Sequence, residues 1–233
     1  MSWFEFKGVI SSSLNVVVSE YPPISRARRR VETVTVPGRS GELTLATGPA
    51  AYDSMVREIK CYARPGADLN EIADWLTGSG TLIFGNEPDF AYEAQAIEEL
   101  SIERIMRGRQ HKAFTVPFLC QPLKRRASGD PAITLTAAGN VFNPGHVASC
   151  PKITVTGSGN IVLTVGDKET SITGLSTAVV IDSDLGMAMN TDEDTNLSNI
   201  ISGEWPEIEP GTNAVSWTGT VTSVVIEPRW RWL

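Results

Sequence analysis

Residues 132–233 are written as a succession of short β-branched runs, AITLTA, KITVTG, NIVLTVG, TSITG, AVVIDS and TVTSVVIEP, each bounded by Gly, Asn, Asp or Pro. No stretch among them shows helical periodicity. Many short strands with turn chemistry between them bury their apolar faces by stacking, so this half predicts an antiparallel β-sandwich. Hydrophobic residues make up 41% of the 233-residue chain and charged residues 20%. That balance supports packed cores and calls for neither a disordered nor a fibrous reading. There is no internal repeat and no low-complexity tract.

The first half is also strand-rich, with one helix. VETVTV at 31–36 alternates as a sheet strand before Pro37-Gly38 turns the chain. Residues 55–62 read as a strand because β-branched and aromatic residues outweigh the helical alternative. A helix is expected near 68–77: Asp68 can cap it, Glu71 follows at capping-box spacing, Leu69, Ile72, Ala73 and Leu76 share a stripe, and Gly78 stops it. TLIF at 81–84 and residues 90–97 are further strands. In 114–120, Phe114, Val116, Phe118 and Cys120 alternate with Thr115, Pro117 and Leu119, and Pro117 predicts a sheet edge or bulge. KRRASGDP, beginning at Lys124, reads as a solvated linker. Residues 1–126 hold 16 Lys/Arg against 15 Asp/Glu, whereas residues 127–233 hold 4 against 12. This break predicts two domains, 1–126 and 127–233, the second a poor candidate for nucleic acid.

Several function classes lose support at this level. No apolar stretch is long enough to span a bilayer, and the opening MSWFEFKGVISSSL lacks a charged leader followed by an apolar core, so neither membrane insertion nor secretion is expected. Cys61, Cys120 and Cys150 are odd in number and widely spaced, which predicts reduced thiols, not a disulfide framework or zinc site. His111 and His146 stand near no nucleophile in a recognisable motif. Carboxylate pairs could be assembled from Glu98, Glu99 and Glu103, or from Asp182 and Asp184, but nothing in the sequence marks a raised pKa. Asp192, Glu193 and Asp194 lack the alternating spacing of a calcium loop. Gly157 and Gly159 in TGSGN have no helix after them, so they read as a hairpin turn, not a phosphate loop. The expectation is no enzyme, no cofactor and no metal.

Segments in both halves resemble the distal tail protein family of siphophages. FEFKGVISSSLNVVV and YPPISRARRRVETVTVPGRSGELTLATG resemble the family's opening, with Val36, Pro37, Gly38, Arg39, Gly41, Leu43 and Thr44 at its V-P-G-R-x-G-x-L-T stretch. LNEIADWLTGSGTLIFGNEPDFAYEAQAI resembles its helix and strand pair, and FTVPFLCQP its closing strand. FNPGHVASCPKITVTGSGNIVLTV, VVIDSDLGMAMN, ISGEWPEIEPGTNAVSW and VVIEPRWRWL resemble its C-terminal, galectin-like sandwich. The resemblance implies a mainly β chain with a ring-forming N-terminal domain and a C-terminal antiparallel β-sandwich. It further implies a hexameric ring at the virion's tail tip or baseplate, made in the host cytoplasm. The ring would join the tail-tube protein to the tail-associated hub protein and receptor-binding proteins, and leave a channel for DNA. The chain has no room for the inserted carbohydrate-binding modules of larger relatives.

Arg26, Arg28, Arg29, Arg30 and Arg39 are the candidates for subunit-interface or channel contacts under that reading, against a solvated loop as the plain alternative. Tight phosphate binding is not expected in a channel through which DNA must slide. Unpaired strand edges would supply the drive for ring closure. The rival reading is a carbohydrate-binding sandwich that contacts the host surface, with Trp205 and Trp217 as stacking platforms. Trp230 and Trp232 fall on one side of an extended segment, as packing residues do.

Overall fold

A computed structural model describes residues 2–45, 51–97, 102–104 and 112–233; nothing is said below of the side chains of 45 and 102–104. Contacts divide the chain into two compact units, Met1–Ala127 with Leu233 and Ser128–Trp232.

The first unit contains β1 (Phe4–Phe6), β2 (Val9–Ile10), β3 (Val16–Glu20), β4 (Glu32–Thr35), β5 (Glu42–Leu45), β6 (Met55–Ala63), β7 (Ser79–Phe84), β8 (Phe90–Ala96), β9 (Ile102–Arg104), β10 (Lys112–Cys120) and β11 (Arg125–Arg126). Its one α-helix among the described residues, α1 (Leu69–Trp75), lies between β6 and β7. Nine strands form an antiparallel sheet in the order β2-β1-β7-β8-β10-β6-β3, with β9 on β10 and β11 on β8. The strands alternate, so one face carries Phe4, Phe6, Ile59, Cys61, Leu82, Phe84, Tyr92, Phe114, Val116 and Phe118 into the core. Burying each large side chain contributes roughly 1.5–3 kcal/mol. Helix α1 covers this face. Asp68 accepts hydrogen bonds from the N–H groups of Asn70 (2.9 Å) and Glu71 (3.5 Å), and Trp75 stacks on Phe4 at 5.1 Å between ring centres. Trp75 Nε1–H also donates to the Phe6 carbonyl at 2.9 Å, so the buried indole is not left unpaired.

Two expectations change here. Pro117 lies in an interior strand, because β10 pairs with β6 along its whole length and with β8 and β9 on its other side. The ladder tolerates it because the Pro117 carbonyl accepts from Ile97 on the β8–β9 side. Its missing N–H therefore falls on that same side, between the pairing at Ile102–Arg104 and the pairing at Ala94–Ala96. The sheet also leaves less free edge than its strand count implies. Val18 N–H, on β3, donates to the Ser2 carbonyl beside β1 at 3.2 Å. Tyr21 joins the same two ends, its hydroxyl accepting from Trp3 N–H and donating to the Trp3 carbonyl, both at 2.8 Å.

The second unit contains β12 (Ile133–Leu135), β13 (Gly139–Asn143), β14 (Lys152–Val165), β15 (Lys168–Leu175), β16 (Ala178–Asp182), β17 (Met187–Met189), β18 (Ile201–Gly203) and β19 (Gly211–Glu227). All pairings are antiparallel, in the order β12-β19-β14-β15-β18, with β13 on β19, β16 on β14 and β17 on β16. The long strands β14 and β19 pair through two register shifts, at Thr156/Gly157 and between Ser158 and Val162. Gly157 and Gly159 therefore lie inside a strand, at a bulged bend, and not in a hairpin turn. The bend needs them: a Cβ on Gly157 would meet the Thr220 carbonyl at 2.3 Å, and Gly159 has φ +81°. The true β14–β15 turn is Gly166-Asp167, with Gly166 at φ +61°. On both sides of the bend the same face is buried, through Ile153 and Val155 on one side and Ile161, Leu163 and Val165 on the other. One bent sheet thus supplies the layers of the β-sandwich.

Candidate assembly surface

Between β3 and β6 the chain leaves the first unit's sheet and forms an arm. At its base Arg29 bridges Tyr52, Arg30 N–H donates to the Ala51 carbonyl (2.8 Å) and Asp53 N–H donates to the Arg28 carbonyl (2.9 Å). Beyond the base, β4 and β5 form a separate two-stranded sheet with Val34 opposite Leu43 and Thr33 opposite Thr44. The connection opens with a type II turn: Pro37 supplies the fixed φ, Gly38 adopts φ +83°, and Arg39 N–H closes onto the Val36 carbonyl at 3.1 Å. Because pleating alternates, Glu32, Val34, Val36 and Leu43 share one face while Thr33, Thr35, Glu42 and Thr44 share the other. Every residue of β4 is exposed, with Val34 at 41% and Val36 at 38%.

The five candidate arginines all belong to this arm or its base, and all are exposed. Arg30 Nε pairs with Asp53 at 2.8 Å, an exposed ion pair worth at most about 1 kcal/mol. Arg26, Arg28, Arg29 and Arg39 make no ion pair among the described residues. They leave positive charge at the arm's root and at Arg39, whereas Glu32 and Glu42 place exposed carboxylates on its two strands.

The tryptophans are distributed differently. Trp230 and Trp232 are 5% and 7% exposed, and Trp230 N–H donates to Asp130 Oδ2 at 2.8 Å. Trp205 and Trp217 are half-buried and separate: Trp217, on β19, opposes the fully buried Leu163, and Trp205, in the irregular stretch after β18, has its Nε1 beside the turn at Gly186.

The remaining polar candidates are tied into structure. Asp182 takes both terminal nitrogens of Arg229 at 2.9 Å and the backbone N–H groups of Asp184 and Leu185. Burial pushes its carboxyl up, but these bonds and the Arg229 charge outweigh it and hold the group below the usual carboxylate range. Such a group is a poor proton donor. Asp184 is bonded by Arg231 Nη2 at 2.5 Å, Glu193 by Lys152, and Asp194 by Asn190 (2.7 Å) and Thr195 (2.8 Å). His146 is exposed; His111, Glu98, Glu99 and the Glu103 side chain lie outside the described residues. Burial pushes the Cys61 and Cys120 thiols up to about 12 and also raises Cys150. No group of three His, Cys, Asp or Glu side chains among the described residues is arranged to hold a metal ion. No helix among the described residues is long and apolar enough to cross a membrane.

A charged cluster escaped the sequence reading. Arg57 is 3% exposed. Its guanidinium lies 4.6 Å from the Tyr92 ring centre and 5.3 Å from that of Phe84. It bonds the Ser25 carbonyl at 3.1 Å and reaches Glu87 at 3.6 Å. Glu87 also accepts from Tyr92 Oη at 2.8 Å and from Lys124 Nζ. Lys124 is thus buried at 9% exposure, over the Phe90 ring, and Arg125–Arg126 pair with β8. Residues 124–126 are consequently part of the first unit's sheet and its buried ion network, which corrects the solvated-linker reading.

No family model matches the chain, and no curated protein matches it. Among solved structures, the phage p2 baseplate in its activated conformation with Sr aligns with 97% of this chain and 98% of its own at 7% identity, TM-score 0.48. The SPP1 Dit (gp 19.1) protein, described as a paradigm of hub adsorption apparatus in Gram-positive infecting phages, aligns over 100% of both chains at 17% identity, TM-score 0.77. From end to end, this chain is built on the fold of that SPP1 protein.

Proposed function

We propose that this chain is a distal tail protein: a non-enzymatic structural hub at the tip of a long-tailed phage, six copies of which close into a ring. The observation that carries the reading is the whole-length likeness to the SPP1 Dit protein, in which both units align and neither is left over. In this reading the 1–126 domain forms the ring, the 127–233 domain lies outside it, and the ring joins the tail tube to the tail-associated hub proteins while DNA passes through its channel. Two features agree with it. Asp182, Asp184, Glu193 and Asp194 sit in structural ion pairs and turns, and the arm presents an exposed strand, β4.

The full chain, purified and examined by light scattering after size-exclusion chromatography and by negative-stain microscopy, is expected to show six-membered rings with a central hole. A chain that stays monomeric at high concentration, and is missing from the phage particle, overturns the proposal.

A further inference from the structure

One carboxylate in the first unit serves two buried cations. Glu87, in the turn between β7 and β8, takes Lys124 Nζ on Oε1 and Tyr92 Oη on Oε2, the latter at 2.8 Å. Arg57 Nη1 stands 3.6 Å from Oε2, beyond hydrogen-bond reach, and Nη2 donates instead to the Ser25 carbonyl at 3.1 Å. The Arg57 Nε is buried without a hydrogen-bond partner among the described residues. A guanidinium beside a carboxylate ordinarily closes two parallel bonds with it. Here Lys124 holds one oxygen and Tyr92 bonds the other, so the fork finds no free pair.

The two cations answer to different parts of the chain. Ser25 lies in the stretch that leaves β3 for the arm, and it meets the nine-stranded sheet through two hydrogen bonds among the described residues. One is the bond from Arg57; the other, from Ser25 Oγ to Met55 Sδ at 3.9 Å, is weak because a thioether is a poor acceptor. Lys124 opens the segment that pairs with β8 through Arg125–Arg126 and leads out of the first unit at Ala127. We propose that Glu87 is a switch between these two places: while Lys124 occupies the carboxylate, Arg57 holds the arm's root through Ser25, and when Lys124 is drawn away Arg57 closes onto Glu87 and releases Ser25. The Tyr92 and Phe84 rings, 4.6 and 5.3 Å from the guanidinium, give the cation favourable cover at this site. Displacement of the exit segment thus appears as slack at the root of the arm, and competition for one carboxylate fixes the sign of the coupling. The switch lies within one chain and does not depend on the ring.

The test uses the full chain in a Cys150→Ser background, where the remaining thiols, Cys61 and Cys120, are buried. A nitroxide on Ile24→Cys, beside Ser25 at a position 64% exposed, reports motion at the arm's root, and one on Thr115→Cys, exposed on β10, reports the sheet. Lys124→Met is expected to shorten the rotational correlation time at position 24 about twofold or more and to leave position 115 unchanged. Adding Glu87→Gln removes the anion that draws Arg57 off Ser25, so the double variant is expected to return the parent spectrum at position 24. Glu87→Gln alone leaves Arg57 on Ser25 and should also match the parent, which tests the switch even where Lys124→Met does not fold. A label at position 24 that Lys124→Met leaves unmoved overturns the proposal, as does one that stays mobile in the double variant or becomes mobile in Glu87→Gln. Equal loosening at positions 24 and 115 shows a general loss of packing and overturns it too.

Discussion

Arg57 is held in place by two aromatic faces, a carbonyl and a carboxylate, while its Nε is buried with no hydrogen-bond partner among the described residues. Removing one partner from such a cluster leaves the other charge uncompensated, so Arg57→Ala is expected to lower stability by about 3 kcal/mol, read as the shift in a urea midpoint. Arg57→Lys should recover little of it, because an ammonium lacks the planar fork that fills this slot. Burial pushes the Glu87 carboxyl up, but bonds from Lys124 and Tyr92 and the charges of Lys124 and Arg57 prevail and hold it below its ordinary value of 4.5. A depressed folded pKa means that the contribution is present above the unfolded pKa and is lost as pH falls below 4.5 through the folded value. Glu87→Gln should therefore flatten the acid limb of the stability profile, and an unchanged limb would show that Glu87 is not responsible for it. None of this cluster was legible in the sequence, since Arg57, Glu87 and Lys124 are far apart in the chain and meet only through sheet register. The Asp68 cap was legible because donor and acceptor are near neighbours.

At the level of elements, β14 and β19 bend together, and glycine makes the bend possible. Gly219 has φ +94°, and a Cβ there would lie 2.3 Å from the Asn160 carbonyl, a backbone atom that cannot turn aside. Gly159 has a similar φ, +81°, but open space around it. Gly219→Ala is thus expected to cost at least about 2 kcal/mol, and Gly159→Ala nearer 1 kcal/mol, from the left-handed backbone alone. Equal losses in the two melts would mean that the bend does not depend on that close approach. The strands themselves were readable, because β-branched alternation is a local signal. Their connections were less so. TGSGN has turn composition but serves a bulge inside a strand, and Pro117 has edge composition but sits where one interior strand changes partners. In both cases the deciding fact is which neighbour the backbone faces, and that is set by distant residues. VETVTV was correctly read as a strand, yet alternation cannot distinguish a sheet face that is covered from an arm that is not.

For the whole molecule, contacts separate Met1–Ala127 with Leu233 from Ser128–Trp232, two compact units. Residues 128–232 hold a complete antiparallel ladder around β14 and β19, and Ile153, Val155, Leu163, Val165, Val179, Ile181, Val224 and Ile226 are buried within that unit. The ends of this unit are fastened to each other by Asp130, which accepts from Trp230 N–H, and by Arg229 and Arg231, which grip Asp182 and Asp184. A body with its own buried face and its own tied ends has what independent folding requires. A fragment spanning 128–233 is therefore expected to unfold in one cooperative urea transition and to remain monomeric, since the ring proposed above is formed by residues 1–126. Asp130→Ala in that fragment should lower its midpoint, because the buried Trp230 N–H loses its acceptor. A fragment that shows no cooperative transition would mean that the second core depends on the first. A folded fragment that forms rings by itself would move the assembly surface out of the first unit and into the sandwich.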